Sequence, residues 1–168
     1  MKLKLILTLF AIVTLQVSKA QNTKPLREPF TLKLAVDGEN YYEESIKGSS
    51  YFVHNKTLQI YPSEKLYIEV EIKSDTIYSM KVVRTNLNPK KTIEVEFKQF
   101  VKDRKSEGMM LNVNNPFDKV LKYKALMYIV GHDKWIRTSI IPIQPRLSGF
   151  ETWNDIIITL ALEDWQLK

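Results

Sequence analysis

The 168-residue chain has no cysteine, two histidines and five glycines. Without cysteine there is no disulfide, thiolate metal ligand, catalytic thiol or lipid-modified N-terminal cysteine. His54 and His132 both stand beside predicted turns, so we expect no metal site. A domain of about 150 residues can nevertheless bury about 68–70% of the surface of its unfolded chain, so a core alone can hold it together.

Signatures of catalysis are also missing. The chain has no Gly-x-Ser-x-Gly nucleophile motif, and neither histidine has a serine at a diagnostic spacing. No cofactor motif occurs, and we expect no cofactor. A catalytic triad assembled from distant residues stays open.

Residues 1–20 have the pattern of a cleavable signal peptide. Lys2 and Lys4 precede an apolar run from Leu5 to Leu15, and Ser18 and Ala20 supply the small residues of a cleavage site. The run is too short for a transmembrane helix, which needs about 20 apolar residues. We therefore predict cleavage between Ala20 and Gln21 and a soluble, exported mature chain, in the periplasm or outside the cell. An uncleaved short anchor is the alternative.

Removal of the signal changes the charge of the chain. The net charge falls from +6 to +3, because Lys2, Lys4 and Lys19 leave and no acidic residue does. That small excess gives no reason to expect nucleic acid as a partner. Export without cysteine favours a bacterial envelope protein over a eukaryotic secreted one.

Residues 21–29 are polar, contain two prolines and are predicted to form a tail. From residue 30 to residue 168 the dominant period is two, as in strands with one buried face. The clearest example is Leu66 to Lys73, where Leu66, Ile68, Val70 and Ile72 alternate with polar or aromatic residues. The segment from Ile156 to Leu162 is rich in β-branched residues and favours a strand, with a short capped helix as the alternative.

Eight or nine short strands, separated by turn signals, predict a single antiparallel β-sandwich. The fold class is therefore all-β. The disulfide of true immunoglobulin domains is missing, so the sandwich is immunoglobulin-like only in the loose sense.

Two acidic patterns are candidate sites. The phrase Ile-Glu-Val-Glu occurs twice, and Glu69, Glu71, Glu94 and Glu96 could share one outer face if the two strands pair. Such carboxylates could bind calcium or hydrolyse glycosides. The interpretation we favour is that these glutamates lie on the solvent-exposed faces of two strands, where neighbouring lysines neutralise their charge.

Two further polar segments could be binding sites, but for each we favour a structural role. Asn112, Asn114, Asn115 and Asp118 are favoured as a turn over a calcium site. The basic segment from Lys98 to Lys105 is favoured as a solvated hairpin tip over a surface for anionic lipid or polysaccharide.

The most unusual stretch is IIPIQPRLSGFETW, from Ile140 to Trp153. We single out Trp135, Phe150 and Trp153 as flat contact surfaces and Arg146 as a hydrogen-bond donor to anionic or hydroxyl groups. The alternative is that these aromatic residues pack the loop onto the core.

Three segments resemble a group of small exported bacterial proteins with no assigned function. They are GMMLNVNNPF (108–117), IIPIQPRLSGFETW (140–153) and LEDWQL (162–167). The resemblance covers about the last third of the chain. It implies a shared β-sandwich scaffold and transfers no activity, ligand or catalytic residue.

These patterns favour a binding or structural module of the bacterial envelope, with an unidentified protein or carbohydrate as partner and no transmembrane segment in the mature chain. A carboxylate-dependent hydrolase of polysaccharide and an accessory subunit of an envelope assembly are the alternatives. The sequence does not decide whether the protein is an enzyme.

Overall fold

A computed structural model describes residues 22–24 and 26–168. The predicted signal peptide therefore lies outside the described residues. The strands are β1 (Leu26–Arg27), β2 (Phe30–Ala35), β3 (Tyr41–Ile46), β4 (Ser49–Ser50), β5 (Phe52–His54), β6 (Thr57–Ile60), β7 (Glu64–Lys73), β8 (Thr76–Val83), β9 (Thr92–Lys102), β10 (Lys105–Asn114), β11 (Leu121–Ile129), β12 (Ile136–Thr138), β13 (Ser148–Trp153) and β14 (Ile157–Leu167). A 3₁₀ helix, Pro89–Lys91, connects β8 to β9.

Two five-stranded sheets form the body of the domain. Sheet 1 has the order β13-β10-β9-β7-β8, and sheet 2 has the order β12-β11-β14-β6-β5. The strand pairs in both sheets are antiparallel. The inner faces of the two sheets meet in one core, whose fully buried members include Leu58, Ile60, Ile68, Ile93, Val95, Phe97, Leu111, Leu121, Leu160 and Leu162. The predicted β-sandwich is confirmed, and the immunoglobulin-like label stays a prediction.

The hairpin of β2 and β3 adds a second, smaller core. Its buried side chains Leu32, Leu34 and Ile46 pack with Tyr61 and Ile158. At the far end of β2, the Gln99 side chain accepts a hydrogen bond from the Ala35 backbone N–H and donates one to its carbonyl. The hairpin is thereby attached to both sheets, because Gln99 belongs to sheet 1 and Ile158 to sheet 2.

The segment predicted as a tail has structure of its own. Thr23 forms a β-bridge with Val83, and β1 pairs with β4. Arg27, at the end of β1, is only 3% exposed.

Several predicted strands are present but begin or end at other residues than predicted. Ile157–Leu167 is a strand, so the helix alternative for this segment is excluded. The apolar and β-branched segment from Trp135 to Ile141 also has the composition of a strand, but only Ile136–Thr138 forms one. Ile72, expected in the core with its three apolar neighbours, is 39% exposed and lies next to the last residue of β7. At this end of the hairpin the register with β8 also shifts, leaving Tyr78 unpaired.

Candidate functional site

The outer face of sheet 1 carries a shallow groove. Successive side chains of a strand point to opposite faces, so the core residues of β7, β9 and β10 leave their neighbours on the outer side. The groove encloses about 220 Å³. Its lining residues, which define the outer-face groove below, are Lys65, Glu94, Glu96, Asn112, Asn114 and Ser148.

Strand register places these residues in two rows across the sheet. In the first row Lys65 is opposite Glu96, Glu96 is opposite Asn112, and Asn112 is opposite Phe150. Phe150 is 59% exposed. One end of this row is therefore a flat aromatic surface beside an amide and a carboxylate.

The second row runs parallel to the first, two residues along each strand. It places Tyr67 opposite Glu94, Glu94 opposite Asn114, and Asn114 opposite Ser148. The Asn114 Nδ2 donates to the Ser148 Oγ at 3.2 Å. Aromatic rings thus stand at opposite ends of the two rows, with the polar groove between them.

Glu94 is held by two neighbours. The Lys65 Nζ lies 3.4 Å from the Glu94 carboxylate, and the Asn86 Nδ2 donates to Glu94 at 2.9 Å. The hydrogen bond to Glu94 is the main reason why the pKa of Lys65 is raised. The Lys65 ammonium is therefore already engaged with the protein.

Glu96 and Asn112 have fewer ionic and hydrogen-bonding partners than Glu94. The nearest cation to Glu96 is Lys98, at 3.9 Å, which is longer than a hydrogen bond. The Asn112 Oδ1 is buried, and no donor among residues 22–24 and 26–168 reaches it. A buried acceptor without a donor costs about 1–3 kcal/mol. Because this oxygen is closed to solvent, the cost belongs to the fold, and the Glu96 carboxylate is the less satisfied group that a ligand can reach.

The four residues singled out in the sequence do not form one cluster. Phe150 lies on the outer face of sheet 1, beside the groove. Trp135 is exposed and packs on Tyr128, with ring centroids 5.5 Å apart. Tyr128 is on β11 and packs with the second core, on the outer side of sheet 2. Phe150 and Trp135 are therefore on opposite sides of the sandwich.

Arg146 and Trp153 lie apart from Phe150 and Trp135, and each has its own surroundings. Arg146 is exposed in the loop before β13, with a φ of 62°, and its backbone N–H donates to the Phe117 carbonyl. Trp153 is half-buried against the main core, and its Nε1 donates to the Thr138 Oγ1 at 3.0 Å. Trp153 thus joins the edge strands of the two sheets.

The two acidic phrases do share an outer face, but they do not converge. The Glu69 carboxylate lies 3.2 Å from Lys81, and that of Glu71 lies 3.3 Å from Lys73. Burial alone raises the pKa of Glu69, but hydrogen bonds from Asn88 and Lys81 outweigh it and lower the pKa. The pKa of Glu71 is lowered, mainly by the Ser79 hydroxyl. Glu94 and Glu96 alone line the groove, and the described residues contain no group of acidic or histidine side chains that could hold a metal ion.

The asparagine-rich segment was predicted as a turn, but Asn112 and Asn114 are the end of strand β10, and only the residues after Asn115 bend. Asn115 is fully buried, and its Nδ2 donates to the carbonyls of Lys119, Ile143 and Gln144. Its Oδ1 accepts from the Phe117 N–H at 3.0 Å. Asn115 therefore ties the turn to the loop before β13, while Asn112 and Asn114 line the groove.

The sequence pattern missed the groove as a unit. In the sequence, Lys65 is only one of the lysines that neutralise the neighbouring glutamates, and nothing distinguishes Ser148. The outward positions of each strand can be predicted from the period of two. The pairing of β10 with β13 cannot, because 33 residues that include β11 and β12 separate them.

Other concave regions are present. One of about 410 Å³ borders the Arg27–Glu64 pair, and one of about 400 Å³ lies between His54 and the Glu163–Gln166 part of β14. The first lies beside a structural ion pair. The second follows a bulge at Asp164, which forms an ion pair with Lys124 at 2.6 Å. Neither combines an exposed aromatic ring with an unsatisfied acceptor.

No family model, curated protein sequence or solved structure matches the chain. Within the described residues, no helix is long and apolar enough to cross a membrane.

Proposed function

We propose that the protein is an exported module of the bacterial envelope that binds carbohydrate in the outer-face groove. The observation that carries this proposal is the position of exposed Phe150 directly opposite Asn112, in one row with the Glu96 carboxylate. An aromatic face provides apolar area for the C–H side of a sugar ring. The neighbouring Glu96 carboxylate accepts hydrogen bonds from its hydroxyl groups.

The strands that carry the lining residues of the groove are suited to binding. Its lining residues stand mainly on β7, β9 and β10, whose opposite faces are fully buried in the core. Side chains on rigid strands lose little freedom when a ligand binds, which lowers the entropic cost of association. The groove is also open, as a site for a polymer chain requires.

Binding to carbohydrates can be tested by retention of the purified protein on insoluble polysaccharides and by calorimetry with soluble oligosaccharides. We expect Phe150→Ala to weaken binding by about ten-fold or more, a loss of about 1.4 kcal/mol or more. Phe100→Ala is the matched control. Phe100 is also exposed, at 42%, but stands at the hairpin end of β9, away from the groove.

Two results would contradict the proposal. One is a folded Phe150→Ala variant that binds as well as the wild type. The other is a wild-type protein that is retained by no polysaccharide in a panel of glucans, chitin, peptidoglycan and mannan.

A hydrolase is the second candidate, because Glu94 and Glu96 both line the groove. Alternate residues of a strand are about 6.6–6.8 Å apart along the chain. Carboxyl groups of glycosidases are about 5–9.5 Å apart, which is compatible with this spacing. However, the Glu94 carboxylate is already engaged, with the Lys65 Nζ at 3.4 Å and the Asn86 Nδ2 at 2.9 Å. Release of reducing ends by the wild type, abolished in Glu94→Gln, would establish hydrolysis; binding without release would exclude it for the glycans tested.

Export is a separate part of the proposal. We expect protein recovered from the envelope of a bacterial host to begin at Gln21, as measured by intact mass and N-terminal sequencing. An intact N-terminus starting at Met1 in that fraction would contradict cleavage between Ala20 and Gln21. The predicted short anchor would then be the better interpretation.

A further inference from the structure

The charges and hydrogen-bonding groups of the outer-face groove restrict the class of glycan. Among the described residues, three charged side chains line it: Lys65, Glu94 and Glu96. The two carboxylates outnumber the single ammonium. The nearest further cation, Lys98, is not a lining residue, and its Nζ lies 5.5 Å from the centre of the Phe100 ring.

The single ammonium of the groove is already engaged, because Lys65 contacts Glu94 at 3.4 Å. Glu96 has no cation closer than Lys98, whose Nζ lies 3.9 Å away and outside the lining of the groove. The Glu96 carboxylate is therefore the charge of the groove that the protein neutralises least.

Glu96 and Asn112 stand directly opposite each other on β9 and β10. In an antiparallel pair, the Cβ atoms of opposite residues are about 4.5–5.5 Å apart. A carboxylate and an amide thus stand side by side on one face, next to Phe150. A hydroxyl group of a sugar ring that stacks on Phe150 can donate to the Glu96 carboxylate.

We propose that the groove selects uncharged glycans and rejects anionic ones, with Glu96 as the residue that determines this selectivity. The inference rests on the proposed function and adds the substrate class. A uronate, sulfate or phosphate group placed beside Glu96 meets a like charge.

The experiment compares one soluble glucan with the same glucan after oxidation of its primary hydroxyl groups to carboxylates. The chain length and linkage are matched, so charge is the variable. We expect the wild type to bind the neutral form at least about ten-fold more tightly at low salt. The discrimination should shrink as salt is raised, because ions screen exposed charges over about 10 Å at 0.1 M.

Glu96→Gln keeps a carbonyl acceptor and removes the charge. We expect this variant to bind the neutral glucan within a few-fold of the wild type and to lose most of its discrimination against the oxidised glucan. Glu71→Gln is the control, because Glu71 is on the same outer face but outside the groove. Asn112→Ala should weaken binding of both glucans without changing their ratio.

The outcomes separate the two proposals. If the wild type binds both glucans equally, or prefers the oxidised one, the selectivity is refuted while carbohydrate binding stands. The assignment to Glu96 is refuted if Glu96→Gln keeps the wild-type ratio in a protein whose thermal unfolding is unchanged. If neither glucan nor any other polysaccharide is bound, the proposed function fails and the selectivity fails with it.

Discussion

Arg27 is the most deeply buried cation among the described residues, and its partners explain how it is tolerated. Its Nε and Nη2 donate to the two carboxylate oxygens of Glu64 at 2.7 and 3.0 Å. Further hydrogen bonds reach Ser49 and the Gln59 carbonyl. The guanidinium also lies over the Tyr51 and Tyr61 rings, 4.6 and 4.9 Å from their centres. A segment that appears to be a polar tail in the sequence is thereby part of the folded domain.

Arg27→Ala leaves Glu64 half-buried without its cation. We expect the free energy of unfolding to fall by about 3–5 kcal/mol, as for other broken buried ion pairs. Urea denaturation followed by circular dichroism measures this change. In the control, Lys33→Ala breaks an exposed ion pair with Glu43 and should cost at most about 1 kcal/mol. Similar losses in the two variants would show that the Arg27 pair is not a main support.

Tyr42 makes stability depend on pH in alkaline solution. Burial first, and then a hydrogen bond from its hydroxyl to Glu44, raise the pKa of Tyr42 to about 12. Between pH 10 and 12 the unfolded chain releases this proton while the folded chain keeps it. The contribution of Tyr42 to stability is therefore complete below pH 10 and is lost as the pH rises to about 12.

The pKa of Tyr42 can be measured from ultraviolet difference titrations of the wild type against Tyr42→Phe. In Glu44→Gln we expect this pKa to move down toward 10 without reaching it, because burial persists. A pKa that does not change in Glu44→Gln would mean that the carboxylate has no influence on this tyrosine.

The edge of sheet 1 at β13 depends on a glycine. The segment before β13 runs beside it, with the Ile141 N–H donating to the Glu151 side chain and Ile143 packed over Gly149. A Cβ atom at residue 149 would lie 2.7 Å from the Ile143 Cγ1, closer than two carbon atoms can approach. Gly149 is therefore required by the close approach of the segment, and the packing fixes where β13 presents Phe150.

Gly149→Ala should lower the free energy of unfolding by about 1–3 kcal/mol, the usual cost of overpacking. Ile143→Ala alone creates a cavity and costs about 2–5 kcal/mol. In the double variant the two costs should not add, because the smaller side chain at 143 leaves room for the new methyl group. Additive losses in chemical denaturation would show that the two residues are not in contact.

The strands show how far sequence patterns reach. The period of two correctly placed Leu66, Ile68 and Val70 in the core. The same period in SGFETW puts Phe150 outward and Trp153 inward, which agrees with the exposed Phe150 ring and the Trp153 ring packed against the core. The register between distant strands could not be predicted, because it is set by packing and turn geometry that involve the whole domain. The groove is formed only by that register, so it could not be predicted from the sequence.

The size of the groove on the whole molecule predicts the length of ligand it fits. Its rows cross β7, β9, β10 and β13, which are three inter-strand spacings, or about 14 Å. That distance suits a short oligosaccharide better than a single sugar. We expect calorimetric affinity to rise with each added sugar up to about three or four units and then to level off. An affinity that is already maximal for a monosaccharide would contradict a ligand lying across the strands.

Binding should also stabilise the folded domain. At a ligand concentration of about 100 times Kd, linkage adds about 2.7 kcal/mol to the free energy of unfolding, which raises Tm. Phe150→Ala should remove this rise for the same glucan, and Phe100→Ala should keep it.

The proline-flanked segment beyond β12 has a consequence for crowding. Pro142 and Pro145 flank Ile143, which pairs with Leu121 at the edge of sheet 2, and they have no N–H to offer to a strand from another molecule. This part of the edge is therefore a poor template for a shared sheet between neighbouring copies. Under the proposed function, copies bound side by side on one polysaccharide chain would remain separate domains here, each able to dissociate on its own.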